Sequence, residues 1–180
     1  MQKDCAHDVQ YSSEIMQVLF QQIYVSTSQT ENNMVFQQAE KTGAKALVLT
    51  ADSAAPEHEF NLPIIHRGIQ TAEDACMAVE VGAPAIFLSN HGGHALDGSP
   101  SPVEVAREIF EKDPGIFQKI ELYADGCVRY GTNALELLAL GVRAVGIGRP
   151  FMFVNVYGTK DVTRAIQPLK EEIATSAASL

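Results

Sequence analysis

The sequence is poor in basic residues, and this limits the partners that the protein can bind. Its 13 lysines and arginines stand against 22 aspartates and glutamates, which gives a net charge of -9. A nucleic-acid-binding surface needs a basic stripe that follows the phosphates, so the sequence predicts no nucleic-acid partner. One phosphate pocket remains compatible with this charge, because a few backbone N–H groups and one arginine suffice to bind an anion.

Cysteines are also few, and no pair has the spacing of a metal site or a redox motif. Cys5, Cys76 and Cys127 lie far apart, so we expect no bound metal, and reduced thiols in a cytoplasmic protein. No apolar run approaches the roughly 20 residues of a membrane span. The first residues, Met1–Asp4, lack the apolar core of a signal peptide. We therefore expect a cytoplasmic location and no membrane partner.

The composition is typical of a globular core. Of the 180 residues, 46% are apolar and 19% are charged, which predicts one domain spanning residues 1–180. Six apolar segments are too short for helices and end at polar or glycine residues, so they are predicted to be buried strands. These segments are 23–25, 46–49, 63–65, 85–88, 120–123 and 144–147.

Helix signals lie between several of these strands. Ser101–Glu104 forms a capping box with proline at the first helical position, and Thr71 is placed to cap the preceding helix. The leucine-rich segment Thr132–Leu140 is closed by Gly141. Apolar spacing between Val162 and Ile173 predicts a final amphipathic helix. Repeated strand–helix pairs predict parallel βα units.

Polar residues follow nearly every predicted strand, among them Asp52, Arg67, Ser89, Asp125 and Arg149. Chemistry at the C-terminal ends of successive strands is typical of a barrel, whereas an open doubly wound sheet would place its site at one switch point. We therefore predict an α/β fold of the TIM-type (β/α) barrel class. A complete barrel needs eight units and typically about 250 residues, and this chain has room for roughly six, so the barrel is predicted to be incomplete.

Two kinds of motif carry chemistry. Ser89–Gly93 places His91 at a strand end, where a histidine can act as a general base because its ordinary pKa lies near neutral pH. Taken alone, such a histidine is more often structural. Asp125–Arg129 and Gly148–Pro150 offer backbone N–H groups and two guanidinium forks to one phosphate. Either segment alone fits ordinary turn chemistry, but the two together favour phosphate binding.

The segment Ser89–Gly98 closely resembles the motif of the FMN-dependent 2-hydroxy acid oxidases and dehydrogenases, which include glycolate oxidase, lactate oxidase and the flavocytochrome lactate dehydrogenases. Asp125–Arg129 and Gly148–Pro150 are similar to that family's flavin-phosphate segments, and Gln22–Val25 and Leu49–Asp52 resemble two further strand ends. All five segments occur in the family's order. The resemblance implies bound FMN and oxidation of a small-molecule substrate, a 2-hydroxy acid or a related CH–OH compound.

The resemblance also implies roles for single residues. His91 resembles the base that takes the substrate's proton, Asp52 the carboxylate that stabilises the imidazolium, and Tyr24 a tyrosine whose hydroxyl meets the substrate. Arg67 stands where the family has a lysine beside the flavin, and it keeps the charge with a different shape. The other implied cofactor contacts are Gln22, Thr50 and Ser89 at the flavin ring and Asp125, Gly126, Arg129, Gly148 and Arg149 at the phosphate segments.

The sequence departs from the family where the substrate carboxylate is held. His94 replaces an arginine that clamps this carboxylate, and the loop that carries a second family arginine shrinks to Ser53–Asn61 without one. Because both bidentate clamps are lost, simple 2-hydroxy acids such as glycolate or lactate are predicted to be poor substrates. Cys127 also replaces a family glycine at the phosphate turn.

Two family strands have no counterpart in the sequence, so the barrel alone would leave bare strand edges. A second chain or a homo-oligomer completes the barrel, or the flavin site is open, or the sequence is a shortened descendant. Three functions stay open at this point. They are an FMN oxidoreductase with altered substrate preference, a non-enzymatic remnant or partner protein, and a pocket repurposed for acid–base chemistry without redox.

Overall fold

The computed structural model describes residues 18–24, 26, 28–50, 62–126 and 128–179. Within these ranges the chain forms six strands and seven α-helices, with a short 3-10 turn at His91–Gly93. The strands are β1 (Phe20–Ile23), β2 (Ala46–Thr50), β3 (Ile64–Ile69), β4 (Ala85–Ser89), β5 (Glu121–Asp125) and β6 (Ala144–Gly146). The helices are α1 (Gln29–Lys41), α2 (Ala72–Glu80), α3 (Pro102–Lys112), α4 (Ile116–Lys119), α5 (Gly131–Ala139), α6 (Arg149–Asn155) and α7 (Thr159–Ala177).

The strands form one sheet in chain order from β1 to β6, and each neighbouring pair is parallel. A doubly wound sheet would reverse this order at a switch point, and the described part of the sheet has no such reversal. The sheet also curls, because the rings of Phe20 on β1 and Tyr123 on β5 lie 6.0 Å apart across it. The fold is therefore an incomplete TIM-type barrel, as predicted, with β1 and β6 at its edges.

The predicted strands are present, and their bounds differ by a few residues. β1 begins at Phe20, ahead of the predicted start at Ile23. The sequence predicted that the third strand ends at Ile65 and that Arg67 follows it, and this was wrong. β3 continues through Arg67 to Ile69, with a register shift at this point where Gly68 takes a φ of 99°.

Side chains alternate between the two faces of the sheet, as in any strand. Outer-facing residues such as Ile86, Leu88 and Leu122 pack with α2, α3 and α5 in the main core. The inner face carries a smaller apolar cluster towards the N-terminal strand ends. Its buried members are Ala46, Val48, Ile65 and Ala85, with Phe87 and Tyr123 packed on them. Towards the C-terminal strand ends the inner residues become polar, and there the site forms.

Local capping explains where two of the predicted helices begin. The Thr71 hydroxyl accepts the backbone N–H of Asp74 at 3.1 Å, which starts α2. The capping box of Ser101 and Glu104 is present at α3, with both reciprocal hydrogen bonds formed. These caps confirm the sequence prediction and fix the turns that follow β3 and β4.

The end of the sheet at β6 is poorly covered within the described residues. Ala144 on this strand is exposed, and apolar residues of α6 and the turn after it face solvent. They are Met152, Phe153, Val156 and Tyr157, which are 62%, 66%, 81% and 79% exposed. An apolar patch next to a strand edge is typical of a surface that another element covers.

Candidate active site

A cavity of about 400 Å³ opens where the C-terminal strand ends converge. It brings together ten of the residues that the sequence predicted for the site, from five strands and the turns that follow them. They are Gln22, Tyr24, Arg67, His91, His94, Asp125, Gly126, Arg129, Gly148 and Arg149. The curl of the parallel sheet, and not proximity in the chain, assembles this set.

Two predicted site residues of the described ranges, Thr50 and Ser89, do not line the cavity. Thr50 and Ser89 end β2 and β4 and are each 3% exposed. Asp52 lies outside the described residues, as do Cys5, Cys127 and the loop 53–61. Several further lining residues were not among the predicted site residues, because they carry no titratable or metal-binding group, although Gly92, Val128 and Pro150 lie within the motifs that the sequence offered. They are Gly92, Val128, Gly146, Ile147, Pro150 and Met152.

His91 faces Tyr24 across the mouth of the barrel. The Tyr24 hydroxyl and His91 Nε2 are 2.9 Å apart, and the two rings are nearly parallel at an interplanar angle of 17°. Gln22 Nε2 donates to the same hydroxyl at 3.2 Å. His91 has a φ of 59°, a left-handed conformation that is uncommon for a residue with a Cβ. The Ser89 hydroxyl oxygen accepts the His91 backbone N–H at 3.2 Å and helps to hold this conformation.

His94 lies edge-on to His91, with ring centroids 4.9 Å apart. Its Nδ1 is 2.5 Å from the carbonyl oxygen of His91. A carbonyl only accepts, so Nδ1 carries the hydrogen, and Nε2 is left to meet a substrate. Nε2 donates a hydrogen bond only in the imidazolium form, which makes His94 a weaker carboxylate partner than a guanidinium fork.

Arg67, Asp125 and Ser89 form a network across the inner faces of three neighbouring strands. Arg67 Nε donates to Asp125 Oδ2 at 3.1 Å, and Arg67 Nη2 donates to Oδ2 at 2.9 Å and to Oδ1 at 3.2 Å. The Ser89 hydroxyl donates to Asp125 Oδ1. Arg67 is 7% exposed. The pairing is the bidentate geometry that arginine favours with carboxylates, and it ties β3, β4 and β5 together.

Arg129 and Arg149 both line the cavity, as do Gly126 and Gly148. Arg149 Nη2 donates to the carbonyl oxygen of Gly92 at 2.7 Å. A guanidinium has five N–H donors, so most of those on Arg149 stay available for an anion. Arg129 and Arg149 are both exposed residues. The two arginines thus line one cavity, and their role at a phosphate stays a prediction.

Two titratable groups of the barrel wall have shifted pKa values. Burial, together with the hydrogen bond to Glu121, raises the pKa of Tyr123 to about 12, so its phenol stays protonated at neutral pH. On the outer face, burial lowers the pKa of His66 below its usual value. Neither group lines the cavity.

Comparison with known proteins identifies the family. The model of the FMN-dependent dehydrogenase family matches residues 57–180, more than half of the chain. The chain belongs to this family. The match includes the segments of His91, Asp125 and Arg149, which carry most of the polar groups of the cavity.

Individual relatives agree with this assignment. The chain is 48% identical over 115 residues to an L-lactate dehydrogenase (cytochrome) of Wickerhamomyces anomalus, covering 62% of this chain and 20% of that protein. It is 42% identical over 119 residues to 2-hydroxyacid oxidase 1 of Homo sapiens, covering 66% of this chain and 31% of that protein. A solved flavocytochrome b2 variant with sulfite bound superposes with a TM-score of 0.80 at 34% identity, covering 89% of this chain and 50% of that chain. The chain therefore spans a fifth to a third of these two relatives and half of the solved structure.

The residues present fit the family's cofactor, FMN. Thr50 Oγ1 and Arg67 Nη1 are buried and have no hydrogen-bond partner among the described residues. Each such group costs about 1–3 kcal/mol unless a partner is supplied, and a flavin ring carries carbonyl and N–H groups that can supply one. Gly126 keeps the turn after β5 close-packed, because a Cβ at this position would lie 2.7 Å from Asn90 Oδ1.

Two further features bear on ligands and membranes. Among the described residues no group of three His, Cys, Asp or Glu side chains is arranged to hold a metal ion. None of the helices in the described ranges has the length and apolar character needed to cross a membrane.

Proposed function

We propose that this chain forms the flavin-binding and catalytic part of an FMN-dependent oxidoreductase that oxidises a 2-hydroxy acid or a related CH–OH substrate. The observation that carries the proposal is the 2.9 Å contact between the Tyr24 hydroxyl and His91 Nε2 at one cavity with Arg129 and Arg149. A base, a hydroxyl donor and cations for an anionic cofactor thus share one site.

His91 acts as the base through Nε2. A substrate hydroxyl that enters between Tyr24 and His91 accepts a hydrogen bond from the tyrosine and places its own proton within reach of the base. FMN, when bound, supplies the oxidant that accepts electrons from the substrate carbon. His91 then carries the proton as imidazolium, and we propose that Asp52 stabilises this charge.

FMN is held by groups of two kinds. We propose that Gln22, Thr50 and Arg67 face the flavin ring, with Ser89 supporting them, since these residues end or occupy successive strands around the cavity. The phosphate meets the guanidinium groups of Arg129 and Arg149 and the turns at Asp125, Gly126 and Gly148. This division matches the charge of the cofactor, because the two exposed arginines meet its anionic phosphate.

The substrate carboxylate meets His94 in this proposal. Only a protonated Nε2 donates to it, so carboxylate recognition is weak at neutral pH. Glycolate and lactate are therefore expected to be poor substrates, and an uncharged CH–OH compound is expected to be preferred.

A second chain completes the barrel in this proposal. The sheet has six strands in the described residues, whereas a closed TIM-type barrel has eight. The edge of β6 and the apolar side chains of Phe153, Val156 and Tyr157 provide a surface for added βα units. Light scattering of wild type and Phe153→Asp tests this, with Phe110→Asp on α3 as an exposed control. A wild-type chain that is monomeric at all concentrations and binds FMN would exclude the need for a second chain.

The cytoplasm remains the proposed location, on the grounds of cysteine usage. Cys76, the cysteine that the described residues include, is a free thiol. Imaging of a fluorescent fusion tests this, and fluorescence confined to peroxisomes or mitochondria contradicts it.

Two other functions have specific support. The open sheet edges favour a non-enzymatic remnant that serves as a partner protein. The edge-on pair of His91 and His94 favours acid–base chemistry without redox. Substrate-driven reduction of bound FMN separates both alternatives from the proposed oxidoreductase.

Anaerobic flavin reduction tests the proposed function. FMN-loaded wild type is mixed with a panel of CH–OH compounds while the flavin absorbance is followed. At least one compound is expected to bleach the flavin, and His91→Ala should slow this by roughly a hundred- to ten-thousand-fold while FMN stays bound. Equal rates in wild type and His91→Ala would remove the role of His91, and no bleaching by any compound would favour the remnant.

A further inference from the structure

A second concave site lies on the outer face of the sheet, between β3 and α2. Its volume is about 470 Å³, and sites for small molecules usually have roughly 300–1,000 Å³. The walls are largely apolar and include Ile69, Met77, Ala78 and Val81. Met77 and Val81 are 56% and 74% exposed. This site, the outer groove, shares no described lining residue with the cavity at the strand ends.

Two polar side chains, His66 and Asp74, also line the outer groove. The neighbours of His66 in the sheet are Leu49 on β2 and Ile86 on β4, and both are buried in the apolar cores of the outer face. Neither the His66 nor the Asp74 side chain has a hydrogen bond or an ion pair with another described residue. Polar groups in such surroundings are normally paired, so two that are not paired at one groove point to a ligand.

The charges around the outer groove select the class of ligand. The helix α2 carries three carboxylates, Glu73, Asp74 and Glu80, and no basic residue. Glu73 is paired with Lys112 at 2.8 Å, whereas no lysine or arginine in the described ranges lines the groove beside Asp74. The hydroxyl cap of Thr71 fixes the backbone of Asp74 in the first turn. A fixed carboxylate without a cation attracts an ammonium group and repels an anion.

His66 offers a second contact to an ammonium group. Burial lowers the pKa of His66, so its imidazole is uncharged at neutral pH and one ring nitrogen accepts a hydrogen bond. An ammonium group has three donors, enough for both His66 and Asp74. Gly68, which also lines the groove, has no side chain and leaves the floor of the groove open beside His66.

We propose that the outer groove binds a small apolar amine, with the ammonium group at Asp74 and His66 and the apolar body on Met77 and Val81. The site goes beyond the proposed function, because it lies on the opposite face of the sheet from the cavity of His91. A second copy of the chain is a poor occupant, since a two-fold contact through this face would bring the carboxylates of two α2 helices together.

Three probes that share one carbon skeleton and differ in charge test the class of ligand. Phenylpropylamine, phenylpropanol and phenylpropionate are each titrated into the full chain at neutral pH by calorimetry, and NMR of the His66 ring locates the binding. The amine is expected to saturate one site and to bind about tenfold more tightly than the alcohol, the effect of one hydrogen bond to a charged group. The propionate should bind more weakly than the alcohol. Equal affinities for amine and alcohol, or unchanged His66 resonances, would overturn the proposal.

Asp74→Asn tests the carboxylate, because it removes the charge and keeps the shape of the side chain. The variant should bind the amine no more tightly than the alcohol and leave the affinity for the alcohol unchanged. Glu80→Gln is the matched control, since it removes a carboxylate from the same helix outside the groove lining. An equal loss in both variants would show general attraction to an acidic surface and would contradict the site. Should Asp74→Asn not fold by circular dichroism, the three probes on wild type still decide.

Val81→Ser separates a small ligand from a second copy of the chain. The variant should weaken amine and alcohol alike, because both pack their apolar body on Val81. Self-association of wild type that Val81→Ser abolishes would instead show that a second copy fills the outer groove, and the proposal would fail. The two proposals also fail separately. A chain that binds FMN and no amine defeats this inference alone, and a chain that binds the amine and no FMN defeats the proposed function alone.

Discussion

Replacing Arg149 by alanine is expected to weaken FMN binding through loss of a phosphate contact. Arg149 shares the cavity with Arg129, and one of its N–H groups is engaged by the carbonyl oxygen of Gly92 at 2.7 Å. A hydrogen bond to a charged group contributes about 1.5–3 kcal/mol. Because the arginine is exposed, the lower end applies, and a loss of about 1.5 kcal/mol raises the Kd about tenfold.

Riboflavin makes the Arg149→Ala experiment specific, because it has the ring of FMN and lacks the phosphate. Quenching of flavin fluorescence gives both affinities. Arg149→Ala should weaken FMN and leave riboflavin unchanged, and Arg129→Ala should behave in the same way. Arg164→Ala on α7 is a matched exposed control that lies outside the cavity lining. FMN affinity unchanged in both cavity variants, or equal losses for riboflavin, would refute the phosphate assignment.

Three further outcomes are expected. Glycolate should reduce FMN-loaded protein slowly at neutral pH, because His94 gives no guanidinium fork; fast turnover in a stopped-flow assay would contradict this. Gly126→Ala should lower the free energy of unfolding in urea by more than the roughly 1–2 kcal/mol of a left-handed residue, since its Cβ would also meet Asn90 Oδ1 at 2.7 Å. Gly82→Ala is the control, with a φ of 74° and nothing within 4 Å. The stability of wild type should fall from pH 7.5 to 5.5 partly because the half-buried His66, whose pKa is lowered by burial, binds its proton more readily when unfolded. His66→Leu should reduce this loss, and an identical loss in both proteins would rule out a contribution from His66.

The strands and two helix starts could be predicted from the sequence because their signals are local. The β4 segment Ala85–Ser89 is a short apolar run, and the caps at Thr71 and Ser101 use residues within three positions of each other. The barrel class followed from a global pattern, with polar residues after successive strands. In these strands and helix starts the global apolar pattern and the local propensity of the residues agree. Elements of this kind are the most predictable ones.

The helices α1, α4 and α6 were not predicted. α1 is rich in polar residues and has only a weak apolar stripe, and its packing on β1 and β2 through Phe36 and Ala39 is a tertiary effect. α6 begins at Arg149, within a segment that was interpreted only as a phosphate turn. Because the segment was interpreted as a phosphate turn, the helix was missed. Its Pro150 lies in the first turn of α6, where proline is favourable.

The lining of the cavity was largely predictable, and the contacts between its residues were not. Strand-end positions and the family motif named the ten cavity residues. The pairing of Arg67 with Asp125 joins residues 58 positions apart, and it depends on Arg67 lying inside β3 on the inner face. No local signal gives that register, because Gly68 shifts it by a bulge.

The most direct measurement is a titration of the purified chain with FMN, followed by visible absorbance and flavin fluorescence. We predict saturable binding of FMN at one site per chain, a shifted flavin spectrum, and weaker binding in Arg149→Ala. A chain that is folded by circular dichroism and leaves the flavin spectrum and fluorescence unchanged at all concentrations would contradict the proposal that this cavity is a flavin site.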